Sequence, residues 1–233
     1  MVTTPDPNDL HDPSRSGATR EKLILAAEEL FAQQGLDAVS LRQVNTAAGQ
    51  KNASAAHYHF GSKEALIDAV HGYRIARVNQ RRATRLANAQ ANGALSLRAI
   101  VEAVIIPLSE EVAAPGGENY IQLLSQINSH PNSDLAKLMR SRSTEALQAC
   151  AKHAAAMLPD VPANVFRLRF GLLLQTAIAA LANRQRLLVT VDEQPFPAPL
   201  VLSALVDMQV ASLSAPVSEN TLLELRNAGL QPA

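Results

Sequence analysis

Tryptophan is absent from these 233 residues, and aromatic side chains of all kinds make up only 3% of them. A core must therefore be built from Leu, Ala, Val and Ile, which favours packed helices over a β-sandwich. One cysteine, Cys150, excludes an intrachain disulfide and leaves too few thiols for a structural zinc site. The ten glycines are scattered, so there is no phosphate-cradling glycine loop. A nucleophile elbow, a metal-ligand cluster and paired carboxylates in an apolar segment are also lacking. Neither catalysis nor a cofactor is expected. The 21 basic and 21 acidic side chains cancel, so total charge points to no partner. The most apolar run, 170–183, is shorter than the roughly 20 residues of a membrane span. The opening MVTTPDPNDLHDPSR lacks the apolar stretch of a secretory signal. A soluble cytoplasmic protein with no membrane partner is the expectation.

Hydrophobic residues form 47% of the chain and charged ones 18%, which excludes disorder for most of it. Charge becomes informative once divided. Residues 15–85 hold eleven basic side chains against six acidic ones, and the remainder carries the opposite excess. That asymmetry suits an N-terminal part that meets a polyanion. Residues 1–14, with three Pro and three Asp, read as a flexible tail. From Thr19, a plausible N-cap, Leu23, Ile24, Ala27, Leu30 and Phe31 recur at helical spacing until Gly35. Ser40-Leu-Arg-Gln43 reads as a capping box opening a short second helix, with Leu41, Val44, Ala47 and Ala48 inward and Gly49 at its end. A third helix is expected from Asn52 through Phe60, recapped by Gly61-Ser62. A long fourth runs from Lys63 to about Gln90, and 91–94 is the joint to a second domain.

The stretch 41–60 is therefore two short helices joined by a tight turn, behind a supporting helix. That is the plan of a helix-turn-helix, whose second short helix enters the major groove. Ala53, Ala55 and Ala56 keep that helix slim, and Ser54, His57, Tyr58 and His59 offer donors and acceptors. Lys63 sits where helix-start N–H groups grip phosphate. No carboxylate occurs between Asp37 and Glu64. His57 and His59, two apart, point to different sides of a helix and do not form a metal pair. Tyr58 reads either as a groove contact or as packing on the supporting helix, and Arg42 either as a DNA ligand or as a partner of Glu28 or Glu29. The series Arg74, Arg77, Arg81, Arg82 and Arg85 reads mostly as a solvated face.

The segments ILAAEELFAQQG, SLRQVNTAAG and HYHFGSKEAL, in this order and spacing, resemble the DNA-binding domain of the tetracycline-repressor (TetR) family over about residues 19–70. The resemblance implies base or phosphate contact by Arg42, with Ser40 and Gln43 beside it. It implies base-edge contacts by Ser54, Ala55 and Tyr58, and phosphate contacts by His57, His59 and Lys63. Lys51 and Asn52 fall in the turn, Gly49-Gln-Lys-Asn52, which is one residue longer than the family pattern. His57 stands where the family usually has Tyr.

The remainder also reads as helical, so the fold class is all-α: a three-helix head over 15–62, a connecting helix over 63–90, and a larger ligand-binding and dimerisation domain over 91–233. Helices are expected near 96–111 (with Pro107 inside), 118–130, 133–157, 163–187, 198–212 and 218–228. Arg142 and His153 lie in an apolar stripe. Each either pairs with an acid or carbonyl nearby or lines an effector cavity; Cys150 beside them reads as a core thiol. Tyr120, Leu124, Ile127, Arg142, Ala146, Leu174 and Gln175 are the expected cavity lining, with Arg142 meeting an acidic head. Segments 163–187 and 198–212 are more apolar than one core can hide, and Gly171, Ala177, Ala179 and Ala180 would admit a symmetry mate in a four-helix bundle. The expected protein is a homodimeric repressor that leaves a near-palindromic double-stranded operator when a small hydrophobic effector binds. The alternatives are an activator whose DNA binding the ligand promotes, or a ligand-binding helical protein.

Overall fold

The computed structural model describes residues 13–52, 54–130, 145–184 and 196–230. Among them are ten helices: α1 (Pro13–Gln34), α2 (Leu41–Ala47), α3 (Ala55–Phe60), α4 (Lys63–Ala91), α5 (Leu97–Ala113), α6 (Gly117–Ser129), α7 (Glu145–Ala156), α8 (Ala163–Ala182), α9 (Ala198–Ser214) and α10 (Glu219–Asn227). No strand occurs among the described residues, so the all-α reading holds. The first helix starts six residues earlier than expected. Thr19 and Glu21 lie inside it, and Pro13 opens it, where a missing N–H breaks no helical bond. Ser62 and Ser96 start α4 and α5 by accepting the N–H of Ala65 and Ala99. Of the expected helix 133–157, residues 145–157 fall within the described residues, and Glu145–Ala156 is helical.

The head is built on α1. Leu23, Ile24, Ala27 and Phe31 share one face and pack with Val44 of α2, Ala56 of α3 and Leu66, Ile67 and Val70 of α4. Each fully buried Leu, Ile, Val or Phe among them contributes about 1.5–3 kcal/mol. Two residues of this core, Leu123 and Ile127, come from α6, so the head is closed from the other domain's side. The body has its own core, with Leu86 of α4, a face of α5, Cys150 and Ala154 of α7, and Phe166, Phe170 and Leu173 of α8. Ala177 of α8 belongs to it as well, which removes that residue from the expected dimer face.

Head and body also meet through an ion network centred on the buried Glu28, Arg74 and Glu111. Arg74 of α4 donates from Nη2 to Glu28 of α1 at 2.6 Å and from Nη1 to Glu111 of α5 at 3.1 Å. Arg77 and Arg81 reach the same Glu111 at 2.5 and 3.2 Å, and Arg85 reaches Glu110 at 2.5 Å. Of the α4 arginine series, expected mostly as a solvated face, Arg74 and Arg82 are buried, and Arg77, Arg81 and Arg85 are part-exposed but held in ion pairs. The turn above the network has room for glycine only. Gly116 has a φ of 74°, and a Cβ there would stand 2.4 Å from Arg74 Nη2. At Gly117 a Cβ would stand 1.8 Å from the Glu111 carbonyl oxygen.

The apolar helix α8 is 20 residues long, and by length and composition it is apolar enough to cross a bilayer. It carries Arg167 and Arg169, and Arg169 clamps the carbonyls of Leu213 and Ala215 at the C-terminal end of α9 at 3.1 and 2.6 Å.

Candidate nucleic-acid interface

The second helix is held by the capping box its sequence announces. The Ser40 hydroxyl accepts the Gln43 N–H at 3.3 Å, and the Gln43 side-chain oxygen accepts the Ser40 N–H at 2.8 Å. Ser40 and Gln43 are therefore engaged with each other, leaving Arg42 between them exposed. Neither expected acidic partner holds Arg42. Glu28 belongs to Arg74, and Glu29 accepts the Gln33 amide at 3.2 Å. No ion pair holds Arg42 among the described residues.

The angle between α2 and α3 rests on a residue the sequence reading passed over. Asn45 is buried in α2, and its Oδ1 accepts the N–H of Ala56 in α3 at 2.7 Å. It satisfies one helix-start donor that would otherwise be buried unpaired. The available signal was an amide on the face that also carries Leu41, Val44 and Ala48. Ala47, expected inward, is exposed instead.

The third helix begins later than expected, at Ala55. Asn52 still organises the entry, since its Oδ1 accepts the Ser54 N–H at 3.0 Å and the Ser54 hydroxyl at 2.7 Å. Ala53 lies outside the described residues. Ala55 is 7% exposed and packs in the head's core, so its methyl cannot serve the base-edge contact expected of it. Tyr58, by contrast, is 74% exposed, which excludes the packing alternative. His57 points to solvent beside it. His59 is half-buried next to Phe60, over whose ring Arg20 lies at 5.2 Å. Burial, with a smaller push from Arg20, lowers the His59 pKa, so the imidazole is neutral at pH 7. Lys63 donates from Nζ to the Asp37 carbonyl at 3.1 Å and is half-buried at the start of α4. Arg42, Lys51, Asn52, Ser54, His57 and Tyr58 thus share the exposed positions of α2, the turn and α3, with Lys63 half-exposed at the start of α4.

The expected effector lining is not assembled into a cavity. Tyr120 and Leu124 are core residues, and the Tyr120 hydroxyl lies 3.1 Å from His71 Nδ1. Ile127 belongs to the head's core. Ala146 and Leu174 are half-buried, Gln175 is exposed, and Arg142 lies outside the described residues. His153 accepts from the Gln90 amide at 3.0 Å. Cys150 is buried, and burial pushes its thiol up, away from reactive thiolate. A cavity of about 370 Å³ does lie between α5, α8 and α9, walled by Ser109, Ala180, Leu181, Val201, Leu202 and Leu205, with Arg184 among its lining.

This arrangement, an exposed short helix behind a capped one and a large helical body, defines a helix-turn-helix transcription regulator. Residues 23–70 match the family model described as bacterial regulatory proteins, tetR family, and residues 102–215 match a tetracyclin repressor-like C-terminal domain. The chain belongs to the TetR family, a family of DNA-binding transcription regulators and not of enzymes. It is 40% identical over 67 residues to the HTH-type transcriptional repressor KstR2 of Rhodococcus jostii, a match spanning 29% of this chain and 31% of that protein. The fold is similar to that of NalD, the secondary repressor of the MexAB-OprM multidrug efflux pump in Pseudomonas aeruginosa. That likeness has a TM-score of 0.61 and 19% identity over 84% of this chain and 97% of that one. A TetR-family regulator from Haemophilus influenzae gives a TM-score of 0.57 and 14% identity over 86% of this chain and 98% of that one.

Proposed function

We propose that this chain is a homodimeric repressor that reads a near-palindromic operator with α3 and leaves it when a small hydrophobic effector binds. One observation carries the reading: Arg42, Lys51, His57 and Tyr58 stand exposed on a stretch that holds no carboxylate from residue 38 to residue 63. Phosphate repels carboxylates and attracts exposed cations, so such a surface tolerates a duplex where most surfaces do not. Tyr58 supplies an aromatic face and a hydroxyl for base edges, and Lys51, Lys63 and Arg42 hold the backbone.

The dimer is supported by side chains that one protomer leaves uncovered. Leu168 on α8 is 62% exposed and Met208 on α9 is 67% exposed; Leu172 and Gly171 lie on the same exposed face of α8. Two such faces joined about a two-fold axis form a four-helix bundle and present two copies of α3 to successive major grooves. An effector that fits one arrangement of the body better than another shifts the spacing of those copies. Membership of the family and the likeness in its N-terminal part to a curated repressor favour repression.

The test is fluorescence anisotropy of the purified chain with sheared genomic fragments at low salt. Specific retention of a few fragments with a two-fold footprint is expected, and Tyr58→Ala should change which fragments are retained. Indifference to every fragment at low ionic strength overturns the reading.

A further inference from the structure

Helix α10 buries none of its nine residues, yet both of its ends are capped. At the start, the Ser218 hydroxyl accepts the Thr221 N–H at 3.3 Å. At the end, Gly229, with a φ of 69°, and Leu230 donate their N–H groups to the carbonyls of Arg226 and Leu225 at 2.9 and 3.0 Å. Such caps hold the ends of a helix, but an isolated helix shorter than about 12–15 residues is marginal in water. A helix of this length needs an apolar cover, and its own protomer gives it little. Leu223 is 49% exposed and Leu230 45% exposed, while Leu222 and Leu225 are only half-buried.

The chain enters α10 at a fixed angle. Ala215 is extended (φ −54°, ψ 139°), since the residue before a proline avoids the α region, and Pro216 lacks the N–H that would continue α9. The axis of α10 is turned 65° from that of α9. Arg169 of α8 holds the root of this turn, donating to the carbonyls of Leu213, Ala215 and Pro216 at 3.1, 2.6 and 3.3 Å. The arm thus leaves from the two helices whose apolar stripes stand uncovered. On α8 these are Leu168 and Leu172; on α9 they are Leu200, Ala204, Met208 and Ala211, at three- and four-residue steps. At 1.5 Å per residue α10 is about 13 Å long, enough to cross one helix packed at about 8–10 Å. The match to the family's C-terminal domain stops at residue 215, so α10 is an addition to the shared body.

We propose that α10 is an arm that closes on a second copy of this chain, its leucines covered by the helical body of the partner. The proposal rests on the homodimer reading above and adds a contact outside the four-helix bundle. A second copy fits because the root of the arm adjoins the face on which copies join, so a mate seated there comes within its length. A lipid surface fits less well. Helices that lie on membranes carry Lys and Arg on their polar face, whereas α10 sets Glu219 and Glu224 against Arg226 alone. The same acids disfavour a duplex. Two arms exchanged about one two-fold axis make the contact twice in each dimer.

The test is sedimentation equilibrium of the full chain against a chain ending at Val217, which keeps every carbonyl that Arg169 holds. The dimer dissociation constant should rise at least tenfold in the shorter chain. Leu223→Asp in the full chain should act in the same direction, with the circular dichroism of the body unchanged. Leu223→Cys carrying a benzophenone supplies a second readout. Cys150 is buried with its thiol pushed up, so the label goes to position 223. Irradiation should join two chains, with attachment on the body of the second. Attachment only within one chain would make α10 a cover for its own protomer and overturn the proposal. A wild-type dimer matched in affinity by the shorter chain defeats the arm alone and leaves the leucines to a partner of another kind. A wild type that stays monomeric defeats the homodimer reading, and the arm with it.

Discussion

Arg42 on α2 and Lys51 in the turn stand in solvent, while Arg74, Arg77, Arg81 and Arg85, at three- and four-residue steps along α4, close on Glu28, Glu110 and Glu111. Each of these cations counts the same in the basic excess of residues 15–85. Only the first group is free to meet a polyanion. The second fastens the head to the body, since Glu28 belongs to α1 and Glu111 to α5. A charge count along the chain therefore overstates the electrostatic footprint, and what faces each cation decides its use.

The sharpest way to break this contrast is to exchange the same substitution between the two regions. Arg74→Met leaves Glu28 and Glu111 short of a partner in the interior, which costs about 3–5 kcal/mol. Arg42→Met lies on the surface and should change stability by no more than about 0.5 kcal/mol. Equilibrium urea denaturation measures both. Operator affinity should fall for both, through loss of contact in Arg42→Met and through a loosened head in Arg74→Met. Equal stability losses would abolish the distinction.

A smaller effect is expected at Asn45, which belongs to the head yet resembles the seam in being buried. Asn45→Ala leaves the Ala56 N–H unsatisfied and should cost about 1–3 kcal/mol. Because that bond sets α3 against α2, operator affinity should fall although no DNA-facing atom has changed. A variant that loses stability but keeps full affinity would show that the angle is set by packing alone.

Asn45 also marks where the sequence stopped being legible. The helices themselves were readable because their signals are local: the Ser40 capping box, the Gly61-Ser62 recap, and apolar residues at three- and four-residue spacing. The polar side chains of α3 were legible as residue types, but the inward turn of Ala55 depends on α3 starting at Ala55 and not near Asn52. Long-range partners left no such trace. Nothing near Arg74 announces Glu111, 37 residues away. Arg82 looks like its neighbours until α5, α6 and α7 close around it. Tyr120 and Leu124 were rightly seen as inward, but periodicity does not distinguish a filled core from a cavity wall.

Lys51→Ala sharpens the comparison from the DNA side. If the Lys51 ammonium displaces a counterion from phosphate, its removal should weaken binding to all fragments alike. The slope of log affinity against log salt should become less negative by about one. Arg85→Ala on α4 should leave that slope unchanged, since Arg85 is held by Glu110. Identical slopes for wild type and Lys51→Ala would remove Lys51 from the interface.

The smallest effect belongs to His59, which lies between the two regions in character, half-buried and beside Arg20. Burial first and Arg20 second hold its pKa below the ordinary imidazole value. As pH falls through that ordinary range, the unfolded chain takes up a proton that the folded chain resists. Stability from this group is thus complete above the range and is lost as pH drops through the folded value. His59→Gln should flatten the acid side of a stability-against-pH curve. At pH 7.5 the imidazole carries no charge to release a counterion, so the same variant should leave the salt slope of DNA binding untouched. A slope that falls by one, as for Lys51→Ala, would mean that phosphate recharges His59 in the complex and would move it to the exposed set.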